Sequence, residues 1–245
     1  MATGYSVVLV RHAQSEFNRD KIYTGWCDSD LTSDGVEEAK NAGKILCEYG
    51  FEFDLAFTSV LKRAIKTLYF IQDELDCHWI PVTKTWLLNE RHSGKLQGRS
   101  KVEVLEQYGQ EQVHRWNHAL HEQPPPLAET DEHWNGNDKR YAGLPFAPVG
   151  ESLQQTLQRS LQFWHNLVVP ALKAGQKPLI CGHGCYLRNL LKHLDSNCST
   201  GKKQLETPNA APFVLHLDSD MRPANLQFLN RHGNDIVLFK RSRDS

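Results

Sequence analysis

Two histidines and two arginines stand at positions where they could handle a phosphate group. Arg11 and His12 end a short apolar run near the amino terminus, and His183 lies between two glycines after another apolar run. Arg63 follows a third run by one helical turn. A neutral imidazole is a good nucleophile near pH 7, and guanidinium groups bind phosphate dianions well. Together these residue types indicate phosphoryl transfer through a histidine.

Such a transfer also needs a group that donates and accepts protons, and Glu90 is the best candidate. This carboxylate stands beside Arg91 and His92, after a segment with the character of a strand. A carboxyl group at a strand end can act as general acid and general base. The alternative interpretation is a simple surface ion pair between Glu90 and Arg91.

The elements that must position these groups alternate along the chain between apolar runs and helical periodicity. The predicted strands cover residues 6–10, 54–58, 79–83, 177–181, 212–217 and 226–229. The predicted helices cover residues 32–49, 61–75, 100–120 and 186–194, and a further long helix begins at residue 152. We expect a break near Gly109 in the third of these and a bend at Pro170 in the long helix.

This alternation predicts an α/β fold, a three-layer sandwich in which helices flank a mostly parallel central sheet. Ligands bind beyond the carboxyl ends of the strands in such sheets. We therefore expect His12 and His183 to lie close together although they are far apart in sequence.

Composition limits the class of protein. The chain has 245 residues, of which 40% are hydrophobic, and this size predicts a single domain over residues 1–245. A polar, proline-bearing insertion occupies about residues 121–149. The 28 basic and 29 acidic residues give a net charge of −1, so we expect no nucleic-acid partner and no membrane partner.

The amino terminus and the cysteines favour a cytoplasmic location. The apolar run at residues 7–10 is too short for a signal peptide or a membrane span. The six cysteines include no C-x-x-C pair, which predicts free thiols. Cys181, His183 and Cys185 are close in sequence, but their spacing matches no standard zinc pattern, so we predict no metal.

Several longer motifs point to a known family. They are LVRHAQSEFN at residues 9–18, YTGW at 23–26, TSVLKRA at 58–64, the stretch from WIPV at 79–82 to NERHSGKLQG at 89–98, PPP at 124–126, GESL at 150–153 and GHG at 182–184. The first motif resembles the R-H-G motif of the histidine phosphatase superfamily. The whole set, and above all residues 79–98, resembles the cofactor-dependent phosphoglycerate mutases.

The resemblance implies an activity and a set of site residues. His12 would become phosphohistidine, Glu90 would be the acid and base, and Arg11, Arg63 and His183 would grip the phosphoryl group. The implied substrate-binding residues are Ser15, Asn18, Thr24, Gly25, Arg91, Ser93, Lys101, Asn117, His118, Gly184 and Cys185. The implied reaction interconverts 3-phosphoglycerate and 2-phosphoglycerate, with 2,3-bisphosphoglycerate as primer and no metal. A small phosphorylated metabolite is then the partner, and the family is compatible with a homodimer.

The chain departs from the family pattern mainly where the family binds the far end of its substrate. Asn117 and His118 replace an arginine doublet, Ser93 replaces a tyrosine, and Cys185 replaces a residue that is usually asparagine. Ala13 replaces the usual glycine. Two alternatives therefore stay open beside the mutase: a histidine-type phosphatase acting on a phosphorylated metabolite, and a non-catalytic scaffold that binds a phosphorylated ligand.

Overall fold

A computed structural model describes residues 4–144, 148–194 and 206–230, together with the backbone of residues 236–240. The strands in these ranges are β1 (Tyr5–Arg11), β2 (Leu55–Thr58), β3 (Val82–Lys84), β4 (Pro178–Gly182), β5 (Pro212–Leu217), β6 (Pro223–Phe228) and β7 (Ile236–Lys240). The helices are α1 (Glu16–Arg19), α2 (Ser33–Glu48), α3 (Lys62–Leu75), α4 (Lys101–His118), α5 (Leu153–Phe163), α6 (Val169–Lys173) and α7 (Gly184–Leu194).

The described strands form one sheet in the order β3-β2-β4-β1-β5-β6-β7. The pairs from β3 to β1 are parallel, and the pairs from β1 to β7 are antiparallel. As a result the strands β1, β2, β3, β4 and β6 all run in one direction, which confirms the predicted mostly parallel sheet. Arg11 pairs with Gly182, and Cys181 pairs with Thr58, so β1, β2 and β4 end at the same edge.

Helices cover both faces of the sheet, and β1 shows why. Val8 and Val10 belong to the core cluster beneath α2 and α3, whereas Val7 and Leu9 belong to the cluster beneath α5, α6 and α7. Alternate side chains of a strand point to opposite faces of the sheet, so a continuous apolar run is buried when helices cover both faces. The predicted three-layer α/β sandwich is therefore confirmed.

Two elements differ from their predicted bounds at the edge of the sheet. The strand predicted at residues 79–83 begins only at Val82, and Trp79 before it is 77% exposed. Pro81 lacks an N–H group, and a strand ladder cannot extend through such a residue on its donor side. The strand predicted at 226–229 begins earlier, at Pro223, and β7 was not predicted.

The helix interruptions lie close to where they were predicted. Gly109 has φ 78° and ψ 158° inside α4, a conformation that other residues rarely adopt. Between α5 and α6 the chain forms a wider π-helical turn over Trp164–Val168, directly before Pro170. Pro170 has no N–H group for the preceding turn, which accounts for the irregularity there.

The described part of the insertion at 121–149 packs against the wall of the candidate site. The ring of Tyr141 lies 4.6 Å from that of Trp26, and its hydroxyl accepts a hydrogen bond from Asn89 at 3.0 Å. Arg140 forms an ion pair with Asp28 at 2.8 Å. These contacts give the segment a structural role, while its assignment to one domain with the rest of the chain stays a prediction. No helix within the described ranges has the length and apolarity needed to cross a membrane.

Candidate active site

The ends of β1 and β4 bring the two predicted histidines together. The backbone N–H of His12 donates to the carbonyl of Gly182 at 2.8 Å, which extends the ladder one residue past β1. The ring centroids of His12 and His183 are then 5.1 Å apart. Both side chains are almost fully buried. The expected convergence of these distant residues is therefore observed.

His12 presents Nε2 as a nucleophile. Its Nδ1 lies 2.7 Å from the carbonyl oxygen of Ala13 and can only donate to it, so in the neutral ring Nε2 carries the free electron pair. Arg63 Nε donates to Nε2 at 3.3 Å. Burial, and then the positive charges of Arg63 and Arg11, hold the pKa of His12 well below its ordinary value. The imidazole is therefore neutral at pH 7.

Arg63 is locked in place as the second residue of α3. Its Nη1 donates to the carbonyl of Cys27 at 2.8 Å, and its Nη2 donates to the carbonyl of Gly25 at 2.9 Å. The side chain is only 1% exposed, and burial lowers the pKa of Arg63 to about 10. It stays charged at neutral pH, so it can offset negative charge that develops beside His12.

His183 and Arg11 each keep a buried nitrogen for a ligand. Ser59 Oγ lies 2.8 Å from His183 Nε2 and itself accepts from the backbone N–H of Leu61, so the hydroxyl proton is available to Nε2. A neutral His183 that accepts this proton from Ser59 carries its own proton on Nδ1. That Nδ1 and Arg11 Nε have no hydrogen-bond partner in the described part of the chain. Two buried donors without partners suit the oxygens of a phosphoryl group.

Glu90 reaches the amino-terminal turn of α7. Its carboxylate accepts from the backbone N–H of Arg91 at 2.8 Å, of Cys185 at 3.1 Å and of Tyr186 at 3.2 Å. Its main-chain carbonyl accepts from the indole N–H of Trp26 at 2.7 Å. The backbone and the carboxylate are thus both held, which is what a proton-transfer group requires.

A buried ion pair supports the backbone around Glu90. Arg159 Nε donates to Glu151 at 2.7 Å, and both side chains are almost fully buried. Arg159 also donates to the carbonyls of Asn89 and Glu90, at 2.7 and 2.9 Å. Despite burial, the charge and hydrogen bonds of Arg159 hold the pKa of Glu151 below its ordinary value, so the pair remains ionised.

These groups surround a pocket of about 190 Å³. The predicted residues that line it are Arg11, His12, Asn18, Thr24, Gly25, Arg63, Glu90, Arg91, Ser93, Lys101, Gly184 and Cys185. Burial, and then the charge of Glu90, raise the pKa of the Cys185 thiol to about 11. The thiol is therefore neutral at pH 7, and His12 is the stronger nucleophile of the pocket.

The remaining predicted residues lie outside the lining. His183 stands behind it, against His12 and Ser59. Ser15 is fully buried and accepts from the backbone N–H of Asn18, so it positions a lining residue. Asn117 and His118 are exposed on α4, because Trp116 turns inward and fills the core on that side. Their predicted contacts with a substrate stay predictions.

Sequence reasoning missed Ile22, Tyr23 and Arg188, which also line the pocket. For Arg188 a signal was available in the sequence. It lies four residues after Gly184, but the helix was predicted to begin only at residue 186, and its observed start at Gly184 places the two positions on one face.

Known structures share the fold of this chain. By fold the chain is similar to YhfR of Bacillus stearothermophilus, with TM-score 0.66, 21% identity and coverage of 89% of this chain and 93% of that one. It is also similar to a mycobacterial glucosyl-3-phosphoglycerate phosphatase, with TM-score 0.65, 20% identity and coverage of 92% and 97%.

A third structure with this fold is the alpha-ribazole phosphatase from Shigella flexneri, with TM-score 0.64, 22% identity and coverage of 92% of this chain and 96% of that one. The family model for branch 1 of the histidine phosphatase superfamily matches residues 7–230. That match spans most of the chain and contains every residue that lines the pocket. The chain therefore belongs to the histidine phosphatase superfamily, branch 1.

Proposed function

We propose that this protein is a phosphatase that hydrolyses a small phosphate monoester through a phosphohistidine at His12. The observation that carries the proposal is the fixed state of His12, whose Nδ1 is committed to the carbonyl of Ala13 while Nε2 faces Arg63. An imidazole held in this way needs no deprotonation before it attacks phosphorus, and only the long hydrogen bond from Arg63 Nε has to give way to the phosphoryl group.

The reaction proceeds in two balanced steps. In the first, His12 Nε2 forms a bond to phosphorus, the bond from phosphorus to the ester oxygen breaks, and protonated Glu90 gives its proton to that oxygen. In the second, water forms a bond to phosphorus and gives a proton to the Glu90 carboxylate. The bond from phosphorus to Nε2 then breaks, which releases inorganic phosphate. Glu90 therefore serves as acid in one step and as base in the other.

The charges around His12 suit the transferred group. Arg11 and Arg63 are cationic, and the amino-terminal turn of α7 begins at Gly184 and adds the positive end of a helix dipole. With the free nitrogens of Arg11 and His183, these groups supply donors for the oxygens of the phosphoryl group. Such preorganised donors are the main source of catalysis when little other chemistry is required.

The size of the pocket supports a small substrate. Pockets that enclose drug-sized ligands usually span about 300 to 1,000 Å³. The 190 Å³ available here suits a metabolite of a few carbon atoms instead. Two of the similar structures are named as phosphatases of phosphorylated metabolites, which favours hydrolysis on this scaffold.

A second candidate is the phosphoglycerate mutase reaction, favoured by the cations that remain once Arg11 and Arg63 are assigned to the phosphoryl group. Arg91 and Lys101 line the same pocket and would hold the rest of a phosphoglycerate. The residues fit 2,3-bisphosphoglycerate, since Arg11 and His183 offer unpartnered donors at one end and Lys101 offers charge nearby. When bound, this primer supplies the phosphoryl group that His12 first accepts.

One assay separates the two reactions. Purified protein is incubated with 3-phosphoglycerate, with and without 2,3-bisphosphoglycerate, while both 2-phosphoglycerate and inorganic phosphate are measured. Release of inorganic phosphate without interconversion is the result expected of a phosphatase. Interconversion that depends on the primer, with little free phosphate, would identify a mutase and overturn the proposal. Neither product from 3-phosphoglycerate, combined with no hydrolysis of p-nitrophenyl phosphate, would favour a binding scaffold.

A further inference from the structure

The pocket holds more positive charge than a single phosphoryl group requires. Beyond Arg11 and Arg63 beside His12, its lining includes Arg91, Lys101 and Arg188. Within the described residues, none of these cations has a carboxylate oxygen within 4.0 Å. Glu90 is the one carboxylate in the lining, and backbone N–H groups hold it. A second anionic group would therefore find cations without acidic partners.

Arg188 is held in place beside Arg11. Its Nη1 donates to the hydroxyl oxygen of Thr207 at 3.0 Å, and Thr207 is only 3% exposed. The main-chain carbonyl of Thr207 accepts from Arg11 Nη1 at 2.9 Å. One buried residue thus anchors both guanidinium groups side by side, each through a different acceptor.

Lys101 belongs to the same charged region. Burial lowers the pKa of Lys101, and the charges of Arg11 and then Arg188 lower it further. Arg188 also contributes to the lowered pKa of Arg11. Like charges held at such short range raise the free energy of the empty pocket, and a bound anion relieves that repulsion.

The position of Arg188 also explains how the chain manages with Asn117 and His118 in place of an arginine doublet. Those two residues are exposed on α4 and do not line the pocket. Asn117 instead accepts from Arg91 Nη2 at 3.4 Å. Lys101 at the start of α4 is joined in the lining by Arg188 of α7, one turn after Gly184.

We propose that Arg188, anchored by the Thr207 hydroxyl, is a specificity-determining residue that binds a second anionic group of the substrate, beside Lys101 and next to the phosphoryl group at His12. This deepens the proposed function and rests on its assignment of the phosphoryl group to Arg11 and Arg63. The substrate class is a small phosphate monoester that carries a carboxylate or a second phosphate.

The test compares two probes of three carbons that differ at one end. 3-Phosphoglycerate ends in a carboxylate, whereas glycerol 3-phosphate ends in an uncharged alcohol. Their dissociation constants are measured by calorimetry in a His12→Ala background, in which neither probe is consumed, and the wild-type and variant residues below are compared in that background. The wild-type protein is expected to bind 3-phosphoglycerate at least tenfold more tightly. In Arg188→Gln this preference is expected to fall by about tenfold to a hundredfold, as for a lost charge-assisted hydrogen bond, with little change for glycerol 3-phosphate.

Two further variants separate specific contact from general charge. Thr207→Val removes the hydroxyl but keeps the carbonyl that holds Arg11, so it is expected to reduce the preference less than Arg188→Gln does. Lys192→Gln removes a cation from the same helix that does not line the pocket, and it is expected to leave the preference within about twofold.

Three outcomes would overturn the proposal. An equal loss of affinity for both probes in Arg188→Gln would show that Arg188 contacts the reacting phosphoryl group. An unchanged preference for 3-phosphoglycerate would exclude a role of Arg188 in binding. An equal effect of Lys192→Gln would show that Arg188 acts only through the overall positive potential of the helix. Because binding is measured directly, a pair of probes that bind as expected but are not hydrolysed would count against the proposed phosphatase and not against this subsite.

Discussion

The carboxylate of Glu90 accepts a hydrogen bond from the backbone N–H of Cys185, at 3.1 Å. This contact ties the acid and base of the proposed reaction to the first turn of α7, the helix that begins at Gly184. The amino-terminal turn of a helix stabilises negative charge, so the same turn can serve both the carboxylate and the phosphoryl group. The segment around Glu90 and the start of α7 must therefore keep a fixed relative position for catalysis.

Replacing Glu90 with glutamine is expected to slow phosphorylation of His12 by about 10² to 10⁴-fold. Glutamine has a single acceptor oxygen, so it keeps either the bond from Cys185 or the bonds from Arg91 and Tyr186, and it cannot transfer the proton. Rapid-quench measurement of the phosphoenzyme with a radiolabelled phosphate monoester checks this. Glu37→Gln, on an exposed face of α2, is the control, and equal rates in all three proteins would move the acid to another residue.

Replacing His12 with alanine is expected to abolish turnover and the acid-labile phosphoenzyme while the fold is retained. The chain then has no nucleophile at the centre of the pocket, since the thiol of Cys185 is neutral at pH 7. Labelling followed by acid and base treatment distinguishes a phosphohistidine from a phosphoester. His216→Ala, on β5, serves as the matched control. Full activity of His12→Ala would disprove the mechanism.

Replacing Arg63 with lysine is expected to lower both activity and stability. One ammonium group cannot donate at once to His12, Cys27 and Gly25, so buried acceptors lose their donor. We expect a loss of about 1.5 to 3 kcal/mol in the free energy of unfolding and at least ~10² in kcat/KM. Urea denaturation and steady-state kinetics measure the two effects. Arg19→Lys, an exposed substitution of the same kind, should change neither.

Acid is expected to destabilise the fold through its buried neutral histidines. Burial lowers the pKa of His92 to about 4, so the folded protein cannot take up the proton that the unfolded chain binds at its ordinary value of about 6.5. The unfolded state therefore binds more protons between these values, and stability falls as the pH falls. Between pH 7 and pH 5 His92 alone should account for about 2 kcal/mol of the lost unfolding free energy.

The variant His92→Asn tests the contribution of that histidine, because the asparagine oxygen can replace Nδ1 as acceptor of the Gly94 N–H. Its unfolding free energy should fall less than that of the wild type when the pH is lowered from 7 to 5. His133→Asn, at a less buried position, is the control. If the unfolding free energies of the wild type and of His92→Asn fell equally with pH, His92 would not contribute to the acid destabilisation.

The local features of this fold were predictable because local physics determines them. The apolar run of β1 had to be buried on both faces, and Thr32 had to begin α2, where its hydroxyl accepts from the backbone N–H of Gly35. Likewise a histidine directly after a buried strand could be placed at the edge of the sheet. The placement of His12, Arg11, Arg63 and Glu90 around one pocket was predicted from residue type and spacing.

The direction in which each helix presents its side chains was decided by tertiary packing. Trp116 fills the core beneath α4, and this leaves Asn117 and His118 exposed, although their positions in the sequence indicated the pocket. The anchoring of Arg188 depends on Thr207, which lies on a different segment of the chain, before β5. No helical or strand periodicity encodes this contact, because it exists only once the sheet has placed α7 beside the segment before β5. The sequence by itself thus determined which residue types gather around His12, and the tertiary structure determined which cations line the pocket.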